Sequence, residues 1–307
     1  MSNVITFDNF KPENVSIEVD VNNPRKFYHH SKFNWKKIVP TYKYDNGKEE
    51  GIYFQLPEVT CFGIRSFENK DDPTNTAPPS YTWSSLLQTV PTPDNGLTQE
   101  DADEINSGLI NMFDGLVGVV KKKLLEVATV KKLQLPFDDK WKVGVNSLKT
   151  YTYNVDKITQ ERIDPSAPPS LFVKLKVDGK TGAIKSIFRE IDNDDVEYDA
   201  DGDRIVKLKD IPSSEILNRY QNVRCKALVI VHVESIFISS SKGVSIQLKL
   251  HEVAVTEILK SNATRLVLPK YLSKIKTKPA ESVFASNEND EEEQPAIITR
   301  KITMKRC

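Results

Sequence analysis

The residues in this chain best able to do chemistry are lysines and aromatic rings that share strand faces. In LFVKLKV, Phe172, Lys174 and Lys176 fall on one side of an alternating pattern, with Leu171, Val173, Leu175 and Val177 on the other. A second cluster interleaves rings and ammonium groups: Phe33, Trp35, Lys36, Lys37, Tyr42, Lys43 and Tyr44. Near the C-terminal third, Ser245, Gln247, Lys249 and His251 alternate with Val244, Ile246, Leu248 and Leu250. Trp141, Lys142, Lys149, Tyr151 and Tyr153 form a weaker group. Ammonium groups follow phosphates and flat rings accept unpaired bases, each stacked base being worth about 1–3 kcal/mol whatever its identity. The chemistry such a set supports is non-covalent capture of single-stranded nucleic acid. Its candidate contacts are Trp35, Lys36, Lys37, Tyr42, Lys43, Tyr44, Phe172, Lys174, Lys176 and Lys249.

Covalent chemistry has no comparable set. The sequence contains no phosphate-binding Gly-x-x-x-x-Gly-Lys-Ser/Thr loop, no Cys-x-x-Cys and no Gly-x-Ser-x-Gly elbow. The histidines are His29, His30, His232 and His251. The first two lack partners at metal-ligand spacing, and His232 reads as a hydrogen-bonded core residue. The run Glu197 to Gly202 imitates a calcium loop, but Leu208 stands where the bidentate glutamate belongs. A hairpin turn at Asp201-Gly202 is the simpler reading. The expectation is a non-enzyme with no metal and no cofactor.

With 43 basic and 43 acidic residues the formal charge is zero, which argues against a polyanion partner until its distribution is considered. DNDDVEYDADGD (192–203) carries seven acids and ESVFASNENDEEE (281–293) six, with no Lys or Arg in either. Outside them the chain is strongly basic, which suits either a polyanion binder moderated by acidic segments or an ordinary surface with two solvated acidic loops. Three widely spaced cysteines, Cys61, Cys225 and Cys307, read as reduced thiols. Nothing at the N-terminus resembles a secretion signal, and no apolar run is long enough to cross a membrane.

Strands dominate the elements that must position these groups. YKYDNGKEEGIYFQL reads as a hairpin turning at Asp45-Asn46-Gly47, its second strand ended by Pro57. Residues 1–24 read as an irregular arm or as an edge strand over 15–21, and further strands are expected over 141–145, 148–155, 171–177, 184–191 and 204–208. CKALVIVHVESIFISSSKGVSIQLKLHEVAV (225–255) reads as the central hairpin, its first strand buried on both faces from Ala227 to Ile238. One long amphipathic helix spans 99–127, capped by Thr98, with Gly108, Gly115 and Gly118 lowering its intrinsic propensity. A short helix is expected over 213–220. The expected fold is mainly β with one long helix, an OB-like antiparallel β-barrel core with extensions. It divides into an N-terminal arm (1–24), the binding domain (25–279) and an acidic, unstructured tail (280–307).

Three blocks in this order resemble the single-stranded DNA-binding proteins of nucleocytoplasmic large DNA viruses, the group that includes the African swine fever virus protein. They are TYKYDNGKEEGIYFQLPEVTCFGIRSF (41–67), PPSLFVKLKVDGKTGAIKSIF (168–188) and VRCKALVIVHVESIFISSSKGVSIQLKLHEVAV (223–255). The resemblance spans about 27–257, with the helix falling between the first two blocks. It implies an OB-type barrel that coats unpaired DNA in viral replication or repair without doing chemistry. An infected cell's cytoplasm or nucleus, or the virion, would then be its location. Residues 288–293 would recruit replication proteins or shield the groove, and self-association is open. The alternative is a virion-internal structural protein using the same barrel for protein contacts.

Overall fold

The computed structural model describes residues 4–20, 22–23, 25–30, 35–67, 80–92, 95–131, 148, 150–192, 197–198, 204–239 and 243–259. Phe33, Trp141, Lys142, Lys149, the Asp201-Gly202 turn and the acidic tail lie outside them. In chain order the strands begin with β1 (Val15–Ser16), β2 (Phe27–His30), β3 (Trp35–Ile38), β4 (Thr41–Lys43), β5 (Glu49–Phe67) and β6 (Ser80–Leu86). Helix α1 (Gln99–Lys131) follows, then β7 (Tyr151–Thr152), β8 (Ser170–Leu175), β9 (Ile187–Ile191), β10 (Glu197–Tyr198), β11 (Arg204–Ile205) and β12 (Leu208–Asp210). Helix α2 (Ile216–Tyr220) leads into the long pair β13 (Cys225–Ser239) and β14 (Gly243–Ile258). The protein is mainly β: a twelve-stranded mixed sheet beside the two-stranded β10–β11 ribbon.

The long strands organise that sheet. Antiparallel β13 and β14 pair along their whole length, and one edge of β13 serves two partners in succession. Cys225 to Val233 pairs with β5, and Ile236 to Ser239 pairs with β3. β5 also carries β6, β6 carries β8, and β8 meets β14 in parallel. Alternate residues point inward, so Ile52, Phe54, Leu56, Val229, Val231, Val233, Leu248 and Leu250 are buried along with Trp83, Phe188 and Tyr220. Each large apolar side chain so removed from water contributes about 1.5–3 kcal/mol before chain entropy is counted.

Three sequence expectations fail here. Pro57 does not end its strand: β5 runs on to Phe67. Leu56 faces Val229 and Val59 faces Ala227, so Pro57 and Glu58 together stand against Leu228. This bulge absorbs the missing N–H without breaking the strand. Nor is β13 buried on both faces. Its alternate residues Lys226, Ile230, His232 and Glu234 are half-buried and Leu228 is exposed, so one side of the strand is open. The expected strand at 15–21 is also shorter, covering only Val15 and Ser16.

Segment 4–20 is an integral part of this fold. Ile5 accepts from Gln55 N–H and donates to Tyr53 O, 2.8 Å each, adding a short parallel bridge to β5. Thr98 caps α1 through Asp101 N–H to Thr98 Oγ1 (3.1 Å), with Thr98 N–H returning to Asp101 Oδ2 (2.9 Å). The buried stripe Leu109, Met112, Phe113, Leu116, Val120 and Leu124 faces the sheet, Phe113 meeting Phe54 edge-on at 5.7 Å. Two helix glycines face the arm: a Cβ at Gly108 would lie 2.4 Å from Phe7 Cδ2, and one at Gly115 3.2 Å from Phe10 Cε1. Gly118 has nothing within 4 Å. Gly118→Ala should therefore stabilise the protein by about 0.5–1 kcal/mol through helix propensity alone. Gly108→Ala should lose that gain, and more, by displacing Phe7. Urea midpoints of the two variants moving together would refute the packing argument.

Candidate nucleic-acid interface

Register across four neighbouring strands builds a row on the open side of the sheet. Lys174 on β8 stands opposite Lys249 on β14, Lys249 opposite His232 on β13, and His232 opposite Tyr53 on β5. Directly opposed like charges in a sheet are unfavourable by a few tenths of a kcal/mol to about 1 kcal/mol. An anion seated between Lys174 and Lys249 would relieve that repulsion.

Bulges add two more groups to this side. His251 is the extra residue where Leu250 faces Val231 and Glu252 faces Ile230, and Glu234 is extra between Val233 and Ser235. Bulges re-aim side chains in this way. Tyr53 stacks on His232 at 4.6 Å and 14° and meets His251 edge-on at 4.8 Å. Lys176 Nζ lies 3.1 Å from His251 Nδ1 and 5.9 Å from the Tyr53 ring centre. Gly51 leaves room for the stack, since a Cβ there would sit 3.2 Å from Tyr53 Cε2 and 3.3 Å from His232 Nε2. Glu234 is 4.0 Å from Lys37.

These surroundings keep the imidazoles neutral. Burial, then the charges of Lys176, His251 and Lys37, push His232 down to about 4. Burial and Lys176 also lower His251. Lys176 itself is lowered by burial, with Lys249 adding to the effect and Glu234 opposing it. His232 Nδ1 is buried without a hydrogen-bond partner among the described residues, so this is not the satisfied core histidine that the sequence suggests. A histidine depressed by folding stabilises the protein fully above its unfolded value near 6.5 and loses that contribution as pH falls toward 4. An NMR titration of the His232 ring protons should show its midpoint near 4 in the folded protein. A midpoint at or above 6.5 would contradict this environment.

A second aromatic group lies on the same alternation, on β2, β3 and β13. Trp35 packs against His30 (5.2 Å), Tyr28 (5.3 Å) and Phe237 (5.4 Å), and Lys37 stands in register between Tyr28 and Phe237. Tyr28 is 43% exposed and Phe172, outward on β8 beside Lys174, 44%.

The structure thus brings Trp35, Lys37, Phe172, Lys174, Lys176 and Lys249 onto outward-facing positions. It does not bring Tyr42 and Tyr44 there: they are 3% and 9% exposed. Tyr42 Oη accepts from Lys11 N–H (2.9 Å) and Tyr44 Oη donates to Gly51 O (2.8 Å), so neither ring offers a free face. Lys36 alternates to the side of Ile38, away from Trp35 and Lys37. Lys43 is exposed on β4 opposite Glu49, apart from the lysine row. Of the weaker group, Tyr151 is buried with its hydroxyl on Asp114 (2.8 Å), and Arg162 covers the Tyr153 ring at 3.4 Å. Tyr53, Tyr28, His30 and Phe237 were not singled out by sequence. Among the described residues no cluster of His, Cys, Asp and Glu could hold a metal ion, and no helix is long and apolar enough to cross a membrane.

The profile of the family described as "Protein of unknown function (DUF2738)" matches residues 22–293. The chain belongs to this family. The DUF2738 match covers the strands from β2 to β14 and leaves out β1, and its description assigns no activity. No curated protein matches this DUF2738 chain. Among solved structures it is similar to the crystal structure of gp2.5, a single-stranded DNA binding protein encoded by bacteriophage T7. The TM-score is 0.29 at 11% identity, covering 75% of the DUF2738 chain and 98% of the phage chain. A likeness at that level carries no argument about fold or function.

Proposed function

We propose that this protein binds single-stranded DNA without sequence preference and without catalysis. The observation that carries the reading is the outward row Lys174–Lys249–His232–Tyr53 across four adjacent strands. In this reading Lys37, Lys174 and Lys249 hold phosphates, while Tyr28, Trp35 and Phe172 stack bases. An OB-like barrel core is part of the proposal, supported by pairings that run β5–β6–β8–β14–β13 and return to β5. The three sequence blocks agree with a role in replication or repair of a large viral genome, in the infected cell.

Fluorescence anisotropy with a labelled oligo-dT, competed by duplex DNA and by RNA across a salt series, tests this. The expected result is binding that weakens steeply with salt, through counterion release, and that duplex does not compete away. Absence of binding at low salt, in the full chain and in a form lacking residues 281–307, would overturn it. The same barrel would then be read as a surface for protein contacts.

A further inference from the structure

Cys61 on β5 and Cys225, the first residue of β13, are directly opposed in an antiparallel pair, both fully buried and both free thiols. Opposed residues in such a pair have Cα atoms about 4.5–5.5 Å apart, inside the range of about 4.4–6.8 Å that a disulfide spans. The Cys61 thiol donates to Val59 O at 3.6 Å and to the Ser85 hydroxyl. Ser85 Oγ is 3.5 Å from Cys61 Sγ. The neighbouring Cys61 sulfur and burial push the Cys225 thiol up. Two free thiols in register on paired strands can supply the attacking and the resolving sulfur of a disulfide. Cys225 lies next to the exposed residues Arg224, Asn222 and Gln221, and a small oxidant would reach the pair through local opening at the start of β13.

We propose that Cys61 and Cys225 are a peroxide-responsive pair that closes into a reversible disulfide across the β5–β13 seam. The Cys61 thiolate attacks one oxygen of hydrogen peroxide and the O–O bond breaks. This gives Cys61 sulfenic acid and hydroxide, which takes up a proton to become water. The Cys225 sulfur then attacks the Cys61 sulfur, the S–O bond breaks, and the Cys225 proton leaves with the hydroxyl as a second water. The protein loses two electrons and two protons, and peroxide is reduced to two waters. This inference is independent of DNA binding.

The test uses the full chain carrying Cys307→Ser, a position outside the described residues. Native protein is exposed to peroxide, alkylated in denaturant and mapped by mass spectrometry, with glutathione in the same tube reporting that the dose oxidises a thiol. A Cys61–Cys225 peptide lighter by two hydrogens and restored by dithiothreitol is expected, together with a raised denaturant midpoint. With Cys225→Ser added, a sulfenic-acid probe should label Cys61. Recovery of both cysteines as free thiols while glutathione is consumed would overturn the proposal. Labelling absent from Cys61 in the Cys225→Ser chain would overturn the assigned roles.

Discussion

A Lys174→Gln, Lys249→Gln double variant is expected to bind oligo-dT roughly 10–100-fold more weakly than the parent at low salt. Its log–log salt slope should be shallower by about 1.4, since each phosphate contact on a single strand contributes about 0.7. Glutamine keeps most of the aliphatic stem and removes only the charge. Because the two lysines stand in register on paired strands, the same variant should be more stable by a few tenths of a kcal/mol. Weaker binding from a sturdier protein is a pairing that general loss of structure cannot imitate. Lys43→Gln is the control: exposed on β4 opposite Glu49, it should change neither slope nor affinity beyond the loss of one distant charge. If the double variant keeps the parent slope, the lysine row is not where phosphates sit.

Gly63→Ala should destabilise the fold by about 3 kcal/mol or more, a large share of the roughly 5–15 kcal/mol typical of a folded domain. Gly63 has φ +72, and a Cβ there would lie 2.3 Å from Tyr220 O, 2.7 Å from Val223 O and 2.8 Å from Val223 N. All three are backbone atoms, and that backbone is tied down. Asn222 N–H donates to Ile64 O at 3.0 Å, and Asn222 itself is held at φ 58. The glycine occupies a bulge, Phe62 and Gly63 facing the single step between Ser85 and Trp83 on β6. Urea unfolding followed by circular dichroism measures the loss. A midpoint within the equivalent of 1 kcal/mol of the parent would show that the contact between β5 and the end of α2 yields easily.

Alternation explains what could be read without coordinates. Phe172, Lys174 and Lys176 on one segment and Gln247, Lys249 and His251 on another emerge outward because both segments keep strict period two. The same rule carried information that was left unused. In Thr-Tyr-Lys-Tyr, Tyr42 and Tyr44 share a side and Lys43 takes the other, and it is the tyrosines that turn inward. In Trp-Lys-Lys, likewise, Lys36 parts company with Trp35 and Lys37. Bulges were less legible. One extra residue at His251 or Glu234 changes no local composition, yet it decides which groups reach Lys176. Glycine 63 left a faint mark, a lone glycine inside a strand pattern. Tyr53 became visible only through its partner His232, far away in sequence on β13, a pairing that no local pattern encodes.

That distance also has a consequence for how the protein is made. β5 emerges early from the ribosome, but its partner β13 follows only after about 160 further residues, roughly 8–30 s at ordinary synthesis rates. Through that interval a nineteen-residue strand with an apolar side waits without its longest neighbour. Such an edge invites pairing with another nascent copy. Yield in cells should therefore depend on holdase chaperones and on expression temperature more than the finished molecule's stability suggests.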